Sequence, residues 1–358
     1  MEILLGLSLA FLGGAVQGTF FFPMKFMHGW GWENGWMVFT VTCCLILPLG
    51  LAWLTTPGLL DVYHEVGLGT LGLVFLFGIG WGIGAVLYGL GAQMLGMALG
   101  IAIITGINAC LGALFPILFL QEGKISTSAA VVLAAGLAVL VVGVILVSTA
   151  GAVRERQQST DKSSNDPARK PFVLGLAICI LAGIFCPMAN FAFFFGQPIT
   201  NAVRQIESVP VYNSGYALLL PWFLGGLVVN GIYCIYLMKR NRSFACYRQP
   251  GSLGNLIKGI IMSVLFLAGM VLYGSLALNI IPDIGPIVGW PIFLAATIIA
   301  ANVLGVLSGE WKGCGRPAFM WLYGGIVLLI VACTLTGVSN IYQPEAPPST
   351  ELGVLLDG

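Results

Sequence analysis

Five amide side chains lie inside long apolar runs: Gln17, Asn108, Asn190, Asn230 and Asn302. An amide in a hydrocarbon setting costs free energy unless its donors and acceptor find partners, so each marks either a contact between helices or a polar ligand. Aromatic residues accompany them at Trp81, Tyr88, Trp222, Tyr273 and Trp290. A monosaccharide is a ring of hydroxyls with an apolar face. Amides supply donors and acceptors for the hydroxyls, and aromatic rings stack on the face. The substrate-binding candidates on these grounds are Gln17, Trp81, Tyr88, Asn108, Asn190, Asn230, Tyr273 and Trp290. The other reading of an amide is an interhelical hydrogen bond, and of a Trp or Tyr near a helix end an interfacial belt.

Coupling to a proton gradient needs a group that takes up and releases a proton on alternate sides. The middles of the apolar runs are nearly free of ionisable residues. Glu33, Glu65, Glu122, Glu207, Asp283 and Glu310 all fall near run ends or in links. Asp283 stands in the break PDIGPIVGWP before a late run, facing an outer cavity, whereas Glu33 and Glu310 belong at an inner mouth. These three are the coupling candidates, against the plainer reading of solvated loop charges. A metal site or disulfide framework is not expected: nine cysteines, an odd number, lie mostly inside apolar runs without CxxC or His spacing. His28 and His64 are the two histidines and sit near run ends, so an intramembrane hydrolase lacks its usual cluster. No cofactor is expected.

The elements that must position these groups are membrane helices. Fifty-eight per cent of the residues are hydrophobic and 8% charged, against roughly 25% charged in a soluble domain. The net charge of +1 offers no basic stripe for nucleic acid. A helix crosses the hydrocarbon core with about 20 apolar residues. Ten such runs are predicted, at 3–23, 35–54, 69–90, 97–119, 128–150, 172–196, 213–238, 256–279, 285–308 and 317–339. The first lacks a signal peptide's cationic start and cleavage site and reads as a retained span. The polar stretch 151–171 reads as a linker between halves 1–150 and 172–340, and 341–358 as a disordered tail.

Thirteen of the 15 Lys and Arg residues fall in links after odd-numbered runs; Lys124 and Arg204 alone fall after even-numbered ones. Cationic links stay cytoplasmic, which places both termini outside and the 151–171 linker inside. The halves also resemble each other. LGLSLAFLGG (Leu5 to Gly14) recurs as LGLAICILAG (Leu174 to Gly183), and VLYG occurs at Val86 to Gly89 and at Val271 to Gly274. Both pairs imply a five-helix unit. An odd number of spans per unit inverts the second copy in the membrane, and such repeats place a substrate near the midplane, at helices interrupted by Gly or Pro. Runs four (Gly100, Gly106, Asn108, Gly112, Pro116) and nine (Gly285, Pro286, Gly289, Trp290, Pro291) fit. The VLYG offset sets Thr105 opposite Trp290.

At GWGWENGW (Gly29 to Trp36), FLFGIGWGIGAVLYGLGAQMLGMALG (Phe75 to Gly100), GALFP (Gly112 to Pro116) and GEWKGCGRP (Gly309 to Pro317) the sequence resembles the L-rhamnose–proton symporter family of the drug/metabolite transporter superfamily. The resemblance implies ten spans in two inverted repeats in a bacterial inner membrane, proton-coupled uptake of a neutral sugar, and a cavity lined by runs one, three, four, six, eight and nine. The expected partners are a sugar, a proton and membrane lipid. An exporter or facilitator of another small metabolite on the same fold stays open, as does oligomeric state.

Overall fold

The computed structural model describes residues 2–95, 97–119, 126–158, 172–281 and 285–339. Among these residues the chain is all helical, and ten helices are long and apolar enough to cross a membrane. They are α1 (Glu2–Phe26), α2 (Trp32–Thr55), α3 (Leu59–Leu95), α4 (Leu99–Ile117), α5 (Thr127–Gln158), α6 (Phe172–Arg204), α7 (Val211–Asn241), α8 (Ser252–Ile280), α9 (Gly285–Leu307) and α10 (Arg316–Val338). Existence and order agree with the sequence reading. The lengths differ most in α3, which starts at Leu59 because a separate short helix, residues 59–66, joins it through Gly67, at φ 76°. A side chain is strained at that φ, which is why glycine stands there. Residues 159–171 of the expected linker and the whole expected tail lie outside the described residues, and α5 itself runs on to Gln158.

Several helices are broken where proline removes a donor or clashes with the preceding turn. Helix α4 tightens into a 3-10 turn from Phe115, with Pro116 inside it. Helix α6 is interrupted at Cys186 and Pro187 and again at Gly196. Helix α9 opens with a wide π turn, Gly285–Gly289, ahead of Pro291, and α8 carries another at Val271–Ala277. The second VLYG therefore lies in a π segment while the first is regular helix.

Packing follows a pattern that a shift of five helices preserves. Helix α1 packs on α8 and α9, and α6 packs on α3 and α4; α2 packs on α8 as α7 does on α3; α4 packs on α5 as α9 does on α10. The pairs α2 with α7, α4 with α9 and α5 with α10 map onto themselves. The repeated motif makes equivalent contacts: a Cβ on Gly14 would strike the Phe293 carbonyl of α9, and one on Gly183 would strike Ile107 of α4. Helices α3 and α7 meet backbone to backbone, since a Cβ on Gly78 would lie 1.9 Å from the Trp222 carbonyl oxygen. Small residues allow that approach where lipid supplies no hydrophobic drive between helices. The interior is aromatic, with Trp222, Tyr273, Phe39, Phe193, Phe223 and Phe293 fully buried. The periphery is apolar too, with Leu54, Leu68 and Leu307 more than three-quarters exposed, as a lipid-facing surface requires.

Candidate functional site

The two broken helices meet at Asn190. Its amide nitrogen donates to the carbonyls of Gly112 in α4 and Pro286 in α9, both at 2.8 Å. Its oxygen accepts from the Tyr273 hydroxyl of α8. The reason lies in the sequence. Gly112 would ordinarily receive its helical bond from residue 116, a proline, and Pro286, in a π turn, from residue 291, also a proline. One buried amide on α6 supplies the two donors the prolines lack, and it ties four helices together.

Trp290 stands beside this knot. Its indole N–H donates to Asn108 Oδ1 at 3.3 Å, and its ring lies on Gly112, where a Cβ would come within 2.3 Å. The tryptophan therefore faces Asn108 and Gly112, up to two turns along α4 from the Thr105 expected by the repeat offset. The π turn that opens α9 has no counterpart in α4 and shifts that register. Tyr273 and Phe293 pack on Trp290 with ring centres 5.5 and 5.6 Å away. From Tyr273 an aromatic row continues through Phe193 (6.0 Å), Trp222 (5.2 Å from Phe193), Trp81 (5.3 Å from Trp222) and Phe266 (5.7 Å from Trp81).

Gln17 joins this row from α1. It lies against Gly269, on the same face of α8 as Phe266 and Tyr273, where a Cβ would come within 3.0 Å of Gln17 Oε1. Gln17 Oε1 and Trp222 Nε1 are both buried, and neither has a hydrogen-bond partner among the described residues. A buried acceptor and a buried donor left unpaired cost about 1–3 kcal/mol each. Gln17 and Trp81 are only half-buried, so this part of the row has an accessible side; Asn108, at the Trp290 end, is half-buried as well.

Other expected site residues lie elsewhere. Asn230 accepts from Trp36 Nε1 and donates to the Gly226 carbonyl, which uses its amide in joining α7 to α2. Asn302 donates back to Ile298 on its own helix. Tyr88 packs against the buried cluster of Ile104, Cys179 and Ala182, where α3, α4 and α6 converge. Among the described residues no group of His, Cys, Asp and Glu is arranged to hold a metal.

Glu33 and Glu310 lie on the same face, that of the links after odd-numbered helices. Glu310, between α9 and α10, pairs with Lys25 at the end of α1 and with Arg154 of α5, whose Nη1 is 3.1 Å from Oε2. Arg154 also covers the Trp311 ring at 5.1 Å, and Gln158 Nε2 donates to the Glu310 carbonyl at 2.6 Å. Burial pushes the Glu310 carboxyl up, but the Lys25 hydrogen bond and the Lys25 and Arg154 charges outweigh it and hold it below the ordinary carboxylate range. Glu33, in the first turn of α2, is buried and accepts from Ser243 Oγ (2.7 Å) and Asn241 Nδ2 (3.0 Å), joining the α1–α2 link to the α7–α8 link. On the opposite face Arg204 donates to the Asn279 carbonyl and to its Oδ1, both at 3.0 Å. Asp283 lies outside the described residues.

Sequence reasoning missed Asn190 as the shared donor of two helices and left Trp222 out of the site; Pro116 and Pro291, each four or five residues past a carbonyl, were the signal available for the first. Over residues 1–341 the chain matches the family described as L-rhamnose-proton symport protein. It is 28% identical to the L-rhamnose-proton symporter of Pectobacterium atrosepticum over 348 residues, 94% of this chain and 98% of that protein. It is 29% identical to the one from Cronobacter sakazakii over 347 residues, 94% of this chain and 97% of that protein. With ten membrane-length helices and a family match across nearly its whole length, the chain is a multi-pass bacterial inner-membrane transporter that belongs to the L-rhamnose–proton symport protein family.

Proposed function

We propose that this protein takes up L-rhamnose or a closely related neutral monosaccharide together with protons, by alternating access between two inverted five-helix repeats with both termini outside. The observation that carries this reading is the pair of unpartnered buried atoms, Gln17 Oε1 and Trp222 Nε1, beside the row that holds Trp81 and Tyr273. A sugar offers hydroxyls that donate to Gln17 Oε1 and that accept from Trp222 Nε1, while the rings take its apolar face. Asn108 and Trp290 close the opposite end of the row, and Asn190 is a frame residue whose capacity is already used. The packing pattern preserved by a shift of five supports the repeats, and the thirteen-to-two charge bias supports the orientation.

For the proton, the ion-paired Glu310 is a group that a different arrangement of α1, α5 and α9 would release from Lys25 and Arg154, returning its affinity for a proton toward the ordinary value. Glu33 and Asp283 are the further candidates. The test is reconstitution in liposomes with labelled L-rhamnose and an inward-acid pH gradient. Accumulation that collapses with an uncoupler is the expected result. Equilibration without accumulation would make the protein a facilitator, and no entry of L-rhamnose or related sugars would overturn the assignment.

A further inference from the structure

On the outside of the bundle a cavity of about 790 Å³ runs between α4 and α5, lined by Leu99, Ala102, Ile103, Gly106, Cys110, Val141, Ile145 and other mostly apolar residues, with Arg156 among them. We propose that this groove holds one acyl chain of an anionic phospholipid whose phosphate is bound by Arg156. The groove has depth because α4 presents Ala102, Gly106 and Cys110 at successive turns, a spacing of four that leaves room where larger side chains would fill it. Fifteen residues separate Val141 from Arg156 along α5, about 22 Å at 1.5 Å per residue. One leaflet with its headgroup region is roughly 20–22 Å deep, so a chain lying in the groove brings its headgroup to the level of the guanidinium.

Charge selects the headgroup. Arg154, two residues away, is engaged by Glu310 and Trp311, whereas Arg156 is exposed and forms no ion pair among the described residues. A second cavity, of about 590 Å³ between α1, α9 and α10, has no charged side chain on its wall and gives no such selection. The cytoplasmic leaflet follows from the orientation proposed above, but the groove and its cation do not depend on it.

The test is native mass spectrometry of the delipidated full-length protein in a mild detergent, offered equal phosphatidylglycerol and phosphatidylcholine of the same chains. A cation near the surface contributes about 1 kcal/mol toward an anionic headgroup, so the wild type should retain phosphatidylglycerol about five-fold over phosphatidylcholine. Arg156→Gln should abolish that preference, while Arg240→Gln, exposed in the last turn of α7, should leave it. Ile145→Trp, whose ring fills the groove, should lower retention of both lipids. Because Arg156→Gln changes an exposed residue, the proposal can be tested even if Ile145→Trp does not fold. Equal retention of the two lipids by the wild type, an unchanged preference in Arg156→Gln, or undiminished retention in folded Ile145→Trp would each overturn it. Excess glycerol 3-phosphate should not displace the lipid; displacement would reduce Arg156 to a simple anion site and also overturn the proposal.

Discussion

Replacing Asn190 with leucine keeps the volume of the side chain but removes both donors and the acceptor. The Gly112 and Pro286 carbonyls then have no N–H to receive, since Pro116 and Pro291 cannot provide one, and the Tyr273 hydroxyl loses its acceptor. Three buried polar groups are left unpaired. At about 0.6 kcal/mol per bond, the average for interhelical bonds within membranes, the loss is about 2 kcal/mol; at 1–3 kcal/mol per orphaned group it is roughly 3–9 kcal/mol. Even the lower figure is a large share of a typical net stability of about 5–15 kcal/mol. Thermal unfolding of the purified protein, followed by tryptophan fluorescence, should show a midpoint lower by about 3 °C or more. Asn190→Asp should do no better, because it keeps the acceptor for Tyr273 but turns a donor into an oxygen facing two carbonyls. The double variant Asn190→Leu with Tyr273→Phe should lose less than the two single losses added, since each single change orphans the other's partner. A midpoint for Asn190→Leu within 1–2 °C of wild type, or strict additivity in the double variant, would show that the knot does not hold the four helices.

Gln17→Leu and Trp222→Phe remove atoms that nothing among the described residues pairs with, so each should fold yet weaken L-rhamnose binding by roughly five-fold to more than a hundred-fold; unchanged affinity in both, measured by titration calorimetry, would move the sugar elsewhere. Asn230→Leu should behave oppositely, lowering the melting midpoint through its Trp36 and Gly226 bonds while leaving sugar affinity within two-fold in the same two assays. Glu310 is held below the ordinary carboxylate range, so its contribution to stability is fully present above its unfolded value of about 4.3 and is lost as pH falls through the lower folded value. The stability advantage of wild type over Glu310→Gln should thus be flat from pH 7 to pH 5 and shrink below about 4; an advantage already gone at pH 6 would contradict the ion-paired geometry. In a cysteine-free background, Gln249→Cys on the α7–α8 link should react with an impermeant thiol reagent only from the cytoplasm, and Tyr212→Cys in the opening turn of α7 only from outside; the reverse pattern would invert the proposed orientation.

The ten spans were readable because hydrocarbon thickness sets a run length and the chain has few charges to blur it. The site was readable only as a set of residue types. Asn190 and Asn230 look alike in sequence, each an amide in an apolar run, and what separates their roles is a partner far along the chain: carbonyls made available by Pro116 and Pro291 for one, the Trp36 indole for the other. Trp222 was grouped with the aromatic candidates but not placed in the site, because only the packing reveals that its N–H is buried and unpartnered. The Thr105–Trp290 pairing drawn from the repeat missed its mark because the wide turn opening α9 changes the register, and such turns leave no period in the sequence. Glu33 read as a solvated loop charge or a cavity-mouth residue; its burial depends on Asn241 and Ser243, more than two hundred residues away.

The Asn190 knot also dictates an order of assembly. Chains enter the membrane from the N-terminus onward, and the Gly112 carbonyl arrives with α4 while its donor waits on α6 and the Tyr273 hydroxyl on α8. Through the synthesis of α5 and the linker that follows it, the first half must stand in lipid with a carbonyl it cannot satisfy within its own helix, a cost that water, a neighbouring side chain or the insertion machinery has to bear. The Pro286 carbonyl comes last and finds its donor already in place. A ribosome stalled after α5 should therefore hold a loosely packed half, and the five helices expressed alone should be more protease-sensitive than the same helices supplied with the second half in trans.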